Sequence, residues 1–373
     1  MSKSTKNIPV LRPTIDNQTK EELLNVLNLG WWGNGPKVLE FEQKFADYVG
    51  AKYAVAVNSC TSALDLALKV YGIQGGELIT TPMTFVSDAI VGEWNDMDVV
   101  FGDIKEDDLC LDPDKLPLTK DTKAIIAVDS HGRLADIKAI RAKCLKFGIN
   151  PLIIEDAAHA MYVVGVGKES DITVWSFQAV KSLPTGDGGM ITTDEEEIAQ
   201  KIKGMIWLGV EKSTYDRVGQ SYTWDYDIKH GGQKSYMIDL TAVIGLGQLR
   251  RLEKTNQRRR DIQDKYNKAF KGQSWFKQLK DSHTVQYYTQ CFVERDKLAE
   301  HLATKGITTS VHFKPLSEMT YWKKAKQYPL PVTDRIWKQL LSLPCHNALT
   351  DDEQDYVIAE VLAFYNQGYW GVG

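Results

Sequence analysis

The sequence predicts an α/β protein: a large domain with a mostly parallel, mixed sheet sandwiched by helices, followed by a smaller α/β C-terminal domain. Two observations carry this reading. Short continuous apolar runs alternate with helix-period segments from residue 53 onward, the pattern of strands buried on both faces of a parallel sheet. A long helical pattern then spans Asp239 to Phe270, after which mixed strand and helix signals resume. The length, 373 residues, exceeds what one small domain needs.

In order along the chain, residues 19–29 and 37–49 read as amphipathic helices. They flank Gly30-Trp31-Trp32-Gly33-Asn34-Gly35-Pro36, a stiff aromatic loop. Strands are predicted at Tyr53–Val57, Leu78–Thr81, Val99–Phe101, Ala124–Val128 and Leu152–Ile154, and near Ile172–Ser176 and Met190–Thr193. Helices are predicted at Thr61–Val70, Val86–Trp94 and Ile137–Phe147. The 239–270 helix, with a break left open near Glu253, joins the two units, so the large domain is placed at 1–250 and the small one at 251–373. The small unit is predicted to hold a strand near Gln286–Val293 and helices at Arg295–Lys305 and Asp351–Phe364.

Composition narrows the function. Hydrophobic residues make up 43% and charged residues 25%, as in an ordinary soluble protein. The formal net charge of -4, from 45 Lys+Arg against 49 Asp+Glu, argues against nucleic-acid or membrane-surface binding driven by bulk charge. Five scattered cysteines, with no CxxC pair and no metal-ligand spacing, read as reduced thiols of a cytoplasmic protein. The polar N-terminus suggests no signal peptide, and no apolar run is long enough to span a membrane.

Four segments carry chemistry. In Ser176-Phe177-Gln178-Ala179-Val180-Lys181-Ser182-Leu183-Pro184-Thr185-Gly186-Asp187-Gly188-Gly189, a strand ends in a hydroxyl residue and a lysine precedes a glycine-rich turn. A lysine held in a cleft there can form a Schiff base with an aldehyde, while a surface lysine beside a β-turn would show the same pattern. In Ile153-Ile154-Glu155-Asp156-Ala157-Ala158-His159, a buried strand runs into two carboxylates at its carboxyl end, where open α/β sheets bind ligands. Such a carboxylate can pair with a protonated pyridine nitrogen, and His159 can touch the same ligand. A helix-capping Asp with a satisfied histidine is the structural alternative. Asn58-Ser59-Cys60-Thr61-Ser62 joins a strand to a helix start that could hold a phosphate, or simply cap the helix. Phe85, in Thr84-Phe85-Val86, could offer a face for a flat ring or belong to the core. Taken together, a phosphate cradle, a stacking ring, a pyridinium carboxylate and a Schiff-base lysine are the parts that pyridoxal 5'-phosphate needs.

These motifs resemble those of the DegT/StrS-type nucleotide-sugar aminotransferases, which share the aspartate-aminotransferase fold, type I of the pyridoxal-phosphate enzymes. The resemblance runs from Gly35-Pro36 and Phe41-Glu42 through Ser62-Ala63-Leu64, Thr84-Phe85, Glu155-Asp156-Ala157-Ala158-His159, Ser176-Phe177, Lys181 and Gly186-Asp187-Gly188-Gly189. It continues to Val311-His312-Phe313-Lys314-Pro315-Leu316 and Leu343-Pro344. It implies that Lys181 holds the cofactor and moves the substrate proton, and that Asp156 pairs with the ring nitrogen. By the same resemblance His159 and Phe85 flank the ring, and Cys60, Thr61 and Ser176 hold the phosphate. A homodimer with shared sites is implied, in which Lys234 of Gly232-Gln233-Lys234-Ser235-Tyr236 reaches the neighbour's phosphate.

The implied reaction moves an amine from glutamate, through pyridoxamine 5'-phosphate, to a nucleotide-linked keto sugar of the 4-keto-6-deoxy type. Trp32, His312 and Lys314 are the substrate-binding candidates. The Trp31–Gly35 loop and the segment 210–236 are candidates for the nucleotide diphosphate. The chain departs from the family pattern at Cys60, at Asp129-Ser130-His131-Gly132, at Gln178 and at Ser317. Because these positions are expected near the substrate, a cyclitol ketone or a 3-keto sugar stays open as the acceptor. A non-catalytic sensor that keeps the cofactor is the alternative of another class.

Overall fold

A computed structural model describes residues 7–161, 165–210, 226–228, 230–282, 284–326 and 328–368. Helix α1 (Asn17–Leu29) starts where the Asp16 side chain accepts from the Thr19 amide, and it stops at left-handed Gly30. Helix α2 (Pro36–Val49) opens on a proline, which has no N–H to leave unsatisfied there.

Strands β1 (Tyr53–Val57), β2 (Glu77–Thr80), β3 (Asp98–Phe101), β4 (Thr122–Val128), β5 (Leu152–Asp156), β6 (Ile172–Ser176) and β7 (Gly189–Thr193) form one sheet in the order β1-β7-β6-β5-β4-β2-β3. Only β7 runs antiparallel to its neighbours. Helices α3 (Cys60–Val70), α4 (Ser87–Trp94), α5 (Ile137–Phe147) and α6 (Glu196–Met205) complete this part.

The reason the strands read as unbroken apolar runs is visible in the core. Along β4, Ala124, Ile126 and Val128 pack with α3 residues such as Leu64 and Leu68. Ile125 and Ala127 face the other way, onto Ile137, Ile140 and Cys144 of α5. In β5, Ile154 and Ile153 divide between the same two clusters. A third cluster packs Ala54, Ala56, Trp175 and Met190 of the sheet against Phe41 and Phe45 of α2.

Helix α7 (Asp239–Phe270) runs unbroken through Glu253, which closes the question left open there. Its first half gives Ala242, Leu246 and Leu252 to the α2 cluster. Its second half gives Ile262, Tyr266 and Phe270 to a separate cluster. That cluster is completed by β9 (Tyr288–Phe292), α8 (Arg295–Thr304), β10 (Leu340–Leu343) and α10 (Asp351–Asn366). A short strand β8 (Phe276–Lys277) flanks β9, and a short helix α9 (Pro331–Ile336) precedes β10. Ile8 also belongs to this cluster, tied by its amide to the Gly306 carbonyl at 2.9 Å.

Several expected bounds shift. The second strand is Glu77–Thr80 and β9 is Tyr288–Phe292, each a little displaced from its apolar run, while β5 extends to Asp156. Helix α6 and strand β10 were not anticipated. Among the described residues no helix is long and apolar enough to cross a membrane.

Candidate active site

The site forms where β5, β6 and the start of α3 meet. Strand β6 ends at Ser176, which pairs with Gly189 of β7. The chain between them folds back on itself: Thr185 N donates to Phe177 O at 2.8 Å, and Ala179 N to Gly186 O at 2.9 Å. Gly186 takes φ +98°, a conformation that a side chain would strain. A Cβ at Gly189 would meet the Ser59 carbonyl carbon at 2.6 Å, so the glycine lets β7 lie directly on the helix start.

Lys181 rides on this loop, half-buried. Gln286, from the C-terminal part, clamps the backbone on both sides of it. Its Nε2 donates to Val180 O at 2.7 Å and its Oε1 accepts from Ser182 N at 3.2 Å.

Asp156 is buried at the end of β5. Its Oδ1 accepts from Ala158 N at 2.8 Å and from the Cys60 thiol at 3.9 Å. Burial raises its pKa, and the nearby Lys181 charge opposes that rise. The same burial and the Asp156 charge hold the Cys60 thiol protonated. Glu155 turns away, taking the Gly167 amide at 2.7 Å and the Ser170 hydroxyl at 3.0 Å. Of the two carboxylates, Asp156 is thus the one beside the lysine.

At the start of α3 the Ser59 side chain accepts from Ser62 N at 3.1 Å and its carbonyl accepts from Ala63 N at 3.1 Å. The Cys60 and Thr61 amides lie in this first turn, where helix geometry offers unpaired donors to an anion.

A set of neutral imidazoles lies against the lysine. His159 is stacked on Phe313 at 5.8 Å and meets Tyr287 edge-on at 5.3 Å. Its pKa is pushed well down by burial and then by Lys181. His131, 5.7 Å from it, binds the Ser130 hydroxyl at 2.7 Å and the His312 carbonyl at 3.1 Å. Burial lowers it as well. His312 stacks on Tyr287 at 3.7 Å and contacts Ser342 Oγ at 2.8 Å. Burial, then Lys181, brings its pKa to about 3.

The remaining expected residues are spread more widely. Phe85 is 60% exposed, so it is not a core residue and keeps a free face. Lys234 is exposed, 5.6 Å above the Trp207 ring, in a stretch whose Ser235 carbonyl accepts from Asn58 N at 2.7 Å. Lys314 is exposed. Trp32 is 54% exposed and donates to Leu27 O at 3.2 Å, back onto the preceding helix α1. Within the segment proposed for the diphosphate, residues 211–225 and 229 lie outside the described residues.

Sequence reasoning missed Asp88, Gln286 and Tyr287. Asp88 is fully buried, accepts a short hydrogen bond from the Thr84 hydroxyl, and faces Asp156. Burial and the Asp156 charge push its pKa well up. The only hint was an acid one turn after Thr84. Gln286 and Tyr287 arrive from a distant part of the chain with no local signal.

These residues fit pyridoxal phosphate. A lysine amine stands near the buried Asp156 carboxyl, which a cationic pyridine nitrogen would pair with, and helix-start amides lie alongside as donors for a phosphate.

Comparison with known proteins agrees. The DegT/DnrJ/EryC1/StrS aminotransferase family matches residues 13–362. The spore coat polysaccharide biosynthesis protein SpsC of Bacillus subtilis (strain 168) is 38% identical over 375 residues, spanning 95% of this chain and 96% of its own. The UDP-4-amino-4,6-dideoxy-N-acetyl-beta-L-altrosamine transaminase of Campylobacter jejuni is 30% identical, spanning 96% of each chain. The structure of Spr1654 from Streptococcus pneumoniae in its PMP form superposes with a TM-score of 0.90 at 30% identity, covering 97% of this chain and 100% of that one. With its fold and its lysine–aspartate site, this chain belongs to the DegT/DnrJ/EryC1/StrS aminotransferase family.

Proposed function

We propose that the protein is a pyridoxal-phosphate aminotransferase that moves an amine from glutamate to a nucleotide-linked keto sugar of the 4-keto-6-deoxy type. The observation that carries this is the meeting of Lys181, Asp156 and the α3 start in one buried site. The Campylobacter relative, named for a UDP-linked amino sugar, supports a nucleotide sugar as the acceptor.

When bound, the cofactor supplies an electron sink for charge developing on the substrate carbon. The chain's own residues do the rest. Lys181 would hold the cofactor through its amine, and the same amine would take the proton from the substrate carbon and return it. Asp156 would hold a proton on the ring nitrogen. His159 and Phe85 would lie beside the ring, while Thr61, Ser176 and the Cys60 backbone would hold the phosphate. Gln286 fixes the lysine loop, so the amine needs little reorganisation before it acts. Burial holds His131, His159 and His312 neutral, so they add no positive charge beside Lys181.

In this reading Trp32, His312 and Lys314 contact the sugar nucleotide, and the Trp31–Gly35 loop with segment 210–236 holds the diphosphate. The working unit is a cytoplasmic homodimer, with Lys234 reaching the neighbour's phosphate. The chain divides into functional halves near residue 250, so that Gln286 brings the second half to the first half's lysine.

The direct test supplies glutamate and a panel of UDP- and TDP-linked 4-keto-6-deoxy sugars to the cofactor-loaded protein, with products read by mass spectrometry. An amino sugar formed together with an equal amount of 2-oxoglutarate supports the reading. Conversion of the cofactor by glutamate with no acceptor turned over would move the acceptor to another class of ketone.

A further inference from the structure

Beside Lys181 a cavity opens toward the N-terminal segment and helix α7, lined by Lys181, Arg12, Thr14, Arg259, His346 and Asn347. Arg259 is the unusual member. It is only 5% exposed, and its Nε and Nη1 have no hydrogen-bond partner among the described residues. Its neighbours on α7 are paired: Arg258 binds Asp351 at 2.8 Å and Arg260 binds Glu253 at 3.0 Å. Arg259 has no such acid among the described residues. Leaving a buried guanidinium unpaired is costly, and the cost is relieved when an anion supplies the missing acceptors.

The surroundings favour an anion. His346 contacts the Pro9 carbonyl through Nε2 at 3.2 Å, and its Nδ1 is unpartnered. Burial lowers its pKa to about 4; the Pro9 contact and the Glu353 charge oppose that fall, and the charges of Arg12 and Arg259 add to it. The corner therefore carries positive potential from two arginines, next to the lysine that handles an amine.

We propose that Arg259 receives a carboxylate of the amino donor, holding the amino acid while Lys181 deals with its nitrogen. The planar fork of a guanidinium matches a carboxylate through two parallel hydrogen bonds. This rests on the aminotransferase reading above. A phosphate of the sugar nucleotide is the other anion that could answer the same charge, and the test separates the two.

The experiment uses the cofactor-loaded protein and follows the cofactor's absorption. In Arg259→Gln the glutamate concentration for half-conversion should rise roughly 10- to 100-fold, and Arg259→Lys should fall between. Methoxyamine, which reacts with the cofactor but has no carboxylate, should react at the wild-type rate in both. Wild-type protein should in turn react faster with aminooxyacetate, which carries a carboxylate, than with methoxyamine. An unchanged glutamate midpoint in Arg259→Gln, or equal reactivity of the two reagents on the wild type, would overturn the proposal and leave phosphate as the anion. Absence of any cofactor band in the wild type would count instead against the aminotransferase reading.

Discussion

Asp88 of α4 and Asp156 of β5 meet carboxyl against carboxyl in the buried site beside Lys181. The contact raises the pKa of Asp88 well above its usual 3.8, first through burial and then through the Asp156 charge. Asp88 is therefore the member that keeps its proton, and it can donate that proton to Asp156. A protonated neighbour makes Asp156 easier to keep ionised, as the cofactor's ring nitrogen requires.

This pairing makes stability without the cofactor depend on pH. A carboxyl raised in the folded state stabilises the fold fully below the unfolded pKa, near 3.8. That stability is then lost as pH rises toward the folded pKa. Asp88→Asn removes the titration and keeps a donor for Asp156. The cofactor-free variant should match the wild type near pH 4 and gain on it above that, by up to about 1.4 kcal/mol per pH unit. Urea unfolding at several pH values measures the gap. A gap that does not widen with pH would show that Asp88 is ionised in the folded protein.

Asp156→Asn should retain cofactor yet turn over slowly. It loses a charge-assisted hydrogen bond of about 1.5–3 kcal/mol, which is a fall of roughly 10- to 150-fold in kcat. Single-turnover rates with glutamate would check this. A rate within twofold of the wild type would remove Asp156 from the ring nitrogen.

Gly189→Ala should destabilise the fold where β7 crosses the α3 start. The added carbon would lie 2.6 Å from the Ser59 carbonyl carbon and 2.7 Å from the Cys60 nitrogen, both backbone atoms that cannot swing aside. Overpacking of this kind costs about 1–3 kcal/mol, read from the urea midpoint. Because the same shift moves the Cys60 amide, cofactor retention should drop with it.

Lys234→Ala should weaken cofactor retention. If Lys234 reaches the neighbour's site, mixing this variant with Lys181→Ala should restore about a quarter of wild-type activity, because half of randomly paired dimers hold one intact site of two. Mixed samples no more active than the average of the two parents would place Lys234 in its own chain's site.

The fold was largely legible because the sheet is buried on both faces. Ile153 and Ile154 serve opposite cores, so β5 shows as an unbroken apolar run. The lysine loop was legible because Gly186 meets a local backbone demand, a positive φ, while Gly189 answers a distant one, the approach of Ser59. What escaped depends on contacts between distant segments. Asp88 at the start of a helix looks like an ordinary charge favouring the helix dipole, and only the approach of β5 turns it into a partner for Asp156. Gln286 lies more than a hundred residues from the lysine it frames. Strand β10 and helix α6 went unread, although Ile198, Ala199, Ile202 and Met205 of α6 recur at helical spacing and bury one face. Trp32, a substrate-binding candidate by its type, bonds through its indole N–H to Leu27 O of the preceding helix while keeping 54% of its surface exposed.

The most direct test of the account is the visible spectrum of the purified protein after loading with pyridoxal phosphate and removal of the excess, recorded before and after glutamate. The account predicts a protein-held yellow band that bleaches as glutamate is added, and no such band in Lys181→Ala. A wild-type protein that retains no band, or a Lys181→Ala variant that retains and bleaches it as the wild type does, would contradict the assignment of Lys181 as the residue that holds the cofactor.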